Sequence, residues 1–154
     1  MNKVEDYLLN AKEALIKGEN KKSIEFFTEV LKLEPNNQAA LISRGVAFHK
    51  IKDYLSAIKD FNRYVELNPK SEKAFCARGN AYLGLMQNER AIEDFNRAIE
   101  LNPFYPTAFY SRSEYYKRID DQKLAEADQL TADSLQHKLS KAYLESQGYI
   151  FQNI

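Results

Sequence analysis

Two histidines, His49 and His137, and one cysteine, Cys76, are the side chains best suited to act as base, nucleophile or soft metal ligand. A catalytic or metal site would need them near one another, or near carboxylates at ligand spacing. They lie far apart in sequence, and the chain has no GxGxxG, GxxxxGK[ST], HExxH or CxxC pattern. Cys76 sits between Ala74-Phe75 and Ala77, which suits a small apolar filler. His49 lacks partners for a metal, and Asp120-Asp121 suits a solvated turn. No enzyme, cofactor or metal site is expected from these residues.

A different pairing does repeat. Arg44, Arg78 and Arg112 are each followed, 16 residues on, by Asp60, Asp94 and Asp128. A guanidinium fork can hold a carboxylate in two places, so this spacing predicts an Arg–Asp pair bridging two helices in each unit. The corresponding residues further upstream are Asn10 and Phe26, where both charges are missing together.

These pairs sit inside a longer period. Pro35, Pro69 and Pro103 are 34 residues apart, in LKLEPNN, VELNPKS and IELNPFY. Aligning on them gives columns. Ala11, Gly45, Gly79 and Ser113 form one small column, and Ser23, Ala57, Ala91 and Ala125 form another. Phe27, Phe61, Phe95 and Gln129 form a third. Tyr7, Leu41, Phe75 and Phe109, then Ala14, Phe48, Tyr82 and Tyr116, form two more, and Leu33, Leu67, Leu101 and Leu135 a sixth. Large residues recur at spacings of 3, 4 and 7, so each half-unit is an amphipathic helix. Small columns fit where the two helices of a hairpin meet backbone to backbone. The predicted helices run near 2–17, 20–33, 37–50, 54–67, 71–84, 88–101, 105–118 and 122–135, with another near 137–147. Turns fall at Gly18-Glu19-Asn20, Lys52-Asp53, Gln87-Asn88 and Asp120-Asp121. Asn36, Ser71 and Thr107 are expected as caps or first-turn residues. Residues 122–147 lack Pro and Gly, so the last two helices could also merge; Gly148 is expected to end them.

The columns resemble the tetratricopeptide repeat, whose 34-residue period and G…Y…A…F…P pattern match Gly45, Phe48, Ala57, Phe61, Pro69 and Gly79, Tyr82, Ala91, Phe95, Pro103. The resemblance implies an all-α, right-handed superhelical solenoid of helix-turn-helix hairpins forming one domain. Repeats are expected at about 4–37, 38–71, 72–105 and a degenerate 106–137, followed by a capping helix and tail, 138–154. Glu126, Gln129, Asp133 and His137 replace Ile, Phe, aliphatic and Pro positions, as a capping repeat that meets water requires.

The resemblance also implies that the first helix of each hairpin lines a concave groove. The expected peptide-binding residues are Leu8, Lys12, Ile42, Ser43, His49, Lys73, Asn80, Tyr110 and Glu114. Repeat domains that grip chaperone C-termini use a Lys, Asn, Asn, Lys, Arg clamp. Here those positions are Leu8, Lys12, Ser43, Lys73 and Ala77, so only Lys73 agrees in full and no such clamp is expected.

The remaining properties fit a protein-binding module. Apolar residues at 44% with 29% charged describe a folded chain rather than a disordered one. Basic and acidic residues balance at 22 each, so no bulk field favours nucleic acid. No apolar run approaches a membrane span of roughly 18 residues. The start, MNKVEDYLLNAKEAL, has no signal-peptide core and Cys76 has no disulfide partner, so a cytoplasmic setting is expected. The expected function is an adaptor, scaffold or co-chaperone-like module holding a protein or peptide segment. The alternatives are a self-associating subunit that uses its convex face or C-terminal helix, including a homodimer through that helix or tail, and a secretion-type chaperone; the apolar Tyr149–Ile154 tail is expected to cover its own last repeat, to reach a neighbouring chain or to be disordered.

Overall fold

The structure, a computed structural model, describes residues 2–147. Among these, eight helices and no strand occur: α1 Lys3–Ile16, α2 Asn20–Leu33, α3 Gln38–Lys50, α4 Tyr54–Leu67, α5 Glu72–Gly84, α6 Asn88–Leu101, α7 Pro106–Arg118 and α8 Gln122–Ser146. Each helix packs mainly on its sequence neighbours. The result is an all-α solenoid of four hairpins.

Local chemistry sets the boundaries. Asn2 opens α1 with a capping box: its side chain accepts from Val4 and Glu5 N–H, and Glu5 Oε2 accepts from its backbone at 3.0 Å. Asn37, Asp53, Ser71 and Asp121 cap α3, α4, α5 and α8. The cap of α3 is therefore Asn37 and not Asn36, whose Oδ1 instead accepts from Arg63 at 2.7 Å. Thr107 lies in the first turn of α7, which opens on Pro106. Within each hairpin the chain reverses through a left-handed residue at the same register: Gly18, Lys52, Met86 and Asp120, with φ of 75°, 63°, 60° and 61°. In the third unit this places the bend at Met86, one residue before the expected Gln87-Asn88.

The core follows the columns. Phe27, Phe61 and Phe95 are fully buried and lie under the small column. A Cβ added to Gly45 would come 2.5 Å from the Phe61 ring, and one added to Gly79 would come 2.7 Å from the Phe95 ring. Helix approach therefore depends on those glycines. In the fourth unit Gln129 replaces the Phe, and Ser113 Oγ donates to Ala125 O at 2.8 Å.

All three Arg–Asp pairs form, each with two hydrogen bonds of 2.7–2.9 Å. The third guanidinium nitrogen does more than the spacing revealed. Nη1 of Arg44, Arg78 and Arg112 donates to Thr28, Asn62 and Asn96, on the second helix of the preceding hairpin, at 3.0, 2.9 and 2.8 Å. Aromatic columns flank the cations: Arg78 lies 5.3 Å from the Phe75 ring and 5.8 Å from the Tyr82 ring. Burial raises the pKa of the Asp94 carboxyl against the pull of Arg78, while hydrogen bonding to Asp94 raises that of Arg78.

The last helix has 25 residues. It passes through position 137, where Pro35, Pro69 and Pro103 close the earlier units, because His137 neither blocks helix nor removes a donor. The capping segment is thus the second half of α8, continuous with the last repeat helix. Gln147 forms its C-cap; Gly148 and the tail lie outside the described residues. Glu126, Asp133 and His137 are exposed and Gln129 half-buried.

Arg78→Ala strands a mostly buried Asp94 and cuts the tie to Asn62. It should cost about 3 kcal/mol in urea unfolding. Replacing both partners, as in Arg78→Met with Asp94→Leu, should cost less than the single change. A loss below about 1 kcal/mol for Arg78→Ala would remove the ladder from the account of stability.

Candidate peptide-binding groove

The odd-numbered helices define one side of the stack. Across repeats α3 touches α5 and α5 touches α7, while no two even-numbered helices make comparable contact among the described residues. Helices that crowd on one side and spread on the other give a curved stack, with α1, α3, α5 and α7 inside.

The expected site residues fall into three groups. Leu8 and Ile42 are half-buried and belong partly to the core: Leu8 packs on the Ala11, Phe27, Val30 and Ala40 cluster, Ile42 on Ala57, Phe61 and Ala81. Lys12, Lys73 and Glu114 are exposed, and Glu114 faces Lys117 at 3.8 Å. Ser43, His49, Asn80 and Tyr110 are half-buried. Of this last group, His49 and Asn80 are brought together.

Those two line a recess of about 160 Å³ between α3 and α5, with Val46 and Ala77 beside them and Phe61 below. His49 packs edge-on against Tyr54, with ring centroids 5.3 Å apart. Asn80 Nδ2 donates to Ser111 Oγ at 3.0 Å, which ties α5 to α7. Ser111 also lies 3.5 Å from Cys76 Sγ. Burial pushes the Cys76 thiol up to about 11, so it stays protonated and unreactive near neutrality. Tyr110 is drawn aside: its hydroxyl donates to Asp133 Oδ1 on α8 at 2.8 Å. Phe61 was legible in the sequence only as a core column residue, and nothing in its spacing marks it as the floor of a recess.

Among the described residues no group of three His, Cys, Asp or Glu side chains could hold a metal ion. Among them, too, no helix is long and apolar enough to cross a membrane.

Burial lowers the pKa of His49, with a hydrogen bond at the Asn80 backbone pulling the other way. Below pH 6.5 the unfolded chain therefore takes up a proton at this site more readily than the folded one, and stability falls as pH drops. His49→Gln should flatten that part of the stability–pH curve between pH 7 and 5, measured by thermal unfolding. An unchanged slope would show that His49 does not carry it.

Sequence profiles of the tetratricopeptide repeat match residues 8–72 and 72–105. Together they span almost two thirds of the chain. Solved structures agree. The MamA fragment from residue 41 to the end, from Desulfovibrio magneticus RS-1, superposes with a TM-score of 0.80 at 27% identity, over 88% of this chain and 76% of that one. A second MamA crystal structure gives 0.76 at 26%, over 92% and 77%. TTC0263, a thermophilic TPR protein of Thermus thermophilus, gives 0.78 at 20%, over 86% and 74%, a likeness of fold alone. No curated protein sequence matches. With its period, its columns and its paired helices all in the register of that repeat, the chain belongs to the tetratricopeptide repeat family.

Proposed function

We propose that this chain is a non-catalytic adaptor or co-chaperone-like module that holds an extended or helical peptide segment along α1, α3, α5 and α7. The observation that carries the reading is the recess at Val46, His49, Ala77 and Asn80. It has an apolar floor and two polar groups at its rim. Such a site takes one aliphatic side chain, with apolar burial supplying affinity and the rim fixing register. Asn80 spends its amide N–H on Ser111, so its carbonyl oxygen is the group left to accept a peptide N–H. His49 is the second rim group.

The other groove residues fit supporting roles. Ser43 and Tyr110 are half-buried polar groups to either side, and Lys12, Lys73 and Glu114 are exposed charges that favour a partner of mixed charge. Leu8 replaces a cation of the chaperone-tail clamp and packs partly against the core. A C-terminal carboxylate would find too few donors there. A cytoplasmic setting, with Cys76 reduced, accords with this reading.

The test is capture of partners from native extract on immobilised protein, followed by binding of the identified segment as a peptide. Asn80→Arg and, independently, Val46→Arg fill the recess with a charged side chain. Either should weaken peptide binding at least tenfold while the helical signal and unfolding midpoint stay close to wild type. Val46 makes no inter-helix hydrogen bond, so it controls for the loss of the Asn80–Ser111 contact. Full binding by both variants would move the site to another face.

A further inference from the structure

At the end of the solenoid, α8 and the end of α7 enclose an open recess of about 300 Å³, lined by Lys117, Gln122, Ala125, Glu126, Gln129 and Leu130. The repeat itself shows what belongs in such a place. One unit earlier the same register is Leu83, Ala91 and Phe95, and Tyr115 of the following hairpin packs against it. One unit earlier, too, Asn96 accepts from Arg112 of that hairpin. Its counterpart on α8 is Leu130, which is 70% exposed. The face of α8 that would receive a fifth hairpin is therefore apolar in its centre and uncovered among the described residues.

The second half of α8 supplies a complement. Contacts of Tyr110 with Asp133, Arg112 with Asp128 and Ser113 with Ala125 show α7 running antiparallel to α8. Pro106, the start of α7, thus lies opposite about residue 135, and the rest of α8 runs past its neighbour for roughly 15 Å. A lone helix of that length is marginal in water. This one shows Leu139 at 50%, Tyr143 at 65% and Leu144 at 36% exposure. An aromatic is thus available in the part that projects.

We propose that two copies of this chain pair antiparallel along α8, with the two-fold axis at Gln136, so that Tyr143 of each fills the recess of the other. In that register Gln129 meets the second copy's Tyr143 and Leu130 meets its Ala142. The charges agree. The first half of this face carries Glu126 and Asp133, and the second half carries His137 and Lys141. Antiparallel pairing sets Asp133 between the second copy's His137 and Lys141, within a turn on either side. Head-to-tail stacking would instead lay α1 on α8 and set Glu13, at the register of Tyr115, over the recess, a carboxylate where the preceding unit receives an aromatic ring. Overlap from residue 126 to 146 gives a helix pair about 30 Å long, at the lower end of interfaces that hold stable complexes. This face is distinct from the α3–α5 recess, so the pairing stands or falls independently of peptide binding.

Light scattering and sedimentation equilibrium of the full chain should show a concentration-dependent mass approaching twice 17.9 kDa. Tyr143→Asp, at an exposed position, should weaken association at least tenfold with helicity unchanged. Gln136→Cys should give a disulfide-linked dimer under mild oxidation, far faster than Lys59→Cys on exposed α4, and wild type should give none because Cys76 is buried. Deleting residues 148–154 should leave the dimer intact. A monomer at all concentrations would overturn the proposal, as would undiminished association of Tyr143→Asp, loss of the dimer on deleting 148–154, or cross-linking of Gln136→Cys no faster than of Lys59→Cys.

Discussion

A carboxylate at Asp60, Asp94 or Asp128 is almost wholly removed from water, and burying it alone would be costly. The guanidinium opposite satisfies both oxygens and still has a nitrogen free to reach the hairpin before. One side chain therefore joins three helices across two repeats. The rest of the structure leans on that geometry. Rings from Phe48, Phe75, Tyr82, Phe109 and Tyr116 flank the cations, which explains two of the aromatic columns. Apolar burial supplies most of the stabilisation. The ion pairs are what require each hairpin to sit at one register on the last.

The first and last of the described units depart from the ladder in different ways. In unit one both members of the Arg–Asp pair are missing together. Asn10 and Phe26 stand there instead, and Phe26 faces Tyr7 with ring centroids 6.4 Å apart. Unit four keeps its Arg112–Asp128 pair because unit three precedes it. It loses the acceptor for a following arginine, and Leu130 takes that place. Among the described residues each charged rung of the ladder thus joins two hairpins.

Much of this was legible in the sequence, and the limit has a physical cause. Residues at equal register in a repeat share an environment, so the period revealed the hairpins, the small columns and the Arg–Asp pairing. Contacts between repeats depend on how hairpins stack, which the period alone does not encode. The reach of Arg44, Arg78 and Arg112 to Thr28, Asn62 and Asn96 was missed for that reason, although the spacing is again 16. Helix faces are also coarse: one residue step turns a side chain by about 100°. Leu8 and Ile42 were expected in the groove and are partly turned into the core, while Phe61, a core residue by column, forms the floor of a recess. At position 36 against 37 two adjacent asparagines are equally good caps by type, and the start of α3 decides between them.

The division between uniform and variable columns bears on how a partner can be chosen without loss of the fold. Residues that hold the stack lie in the hairpin seams and on the ladder; those that would meet the proposed partner lie on the inner helix faces, where exposed Val46 or Lys73 can vary at little cost to packing. Asn80 breaks this separation. Its amide ties α5 to Ser111 on α7 and it also lines the recess, so a ligand that engages its oxygen acts on a group that joins two repeats. Polarisation along that chain of hydrogen bonds strengthens both contacts together. A bound segment at this point would stiffen the third junction, and any change that loosens the junction would weaken the hold on the segment by the same coupling free energy.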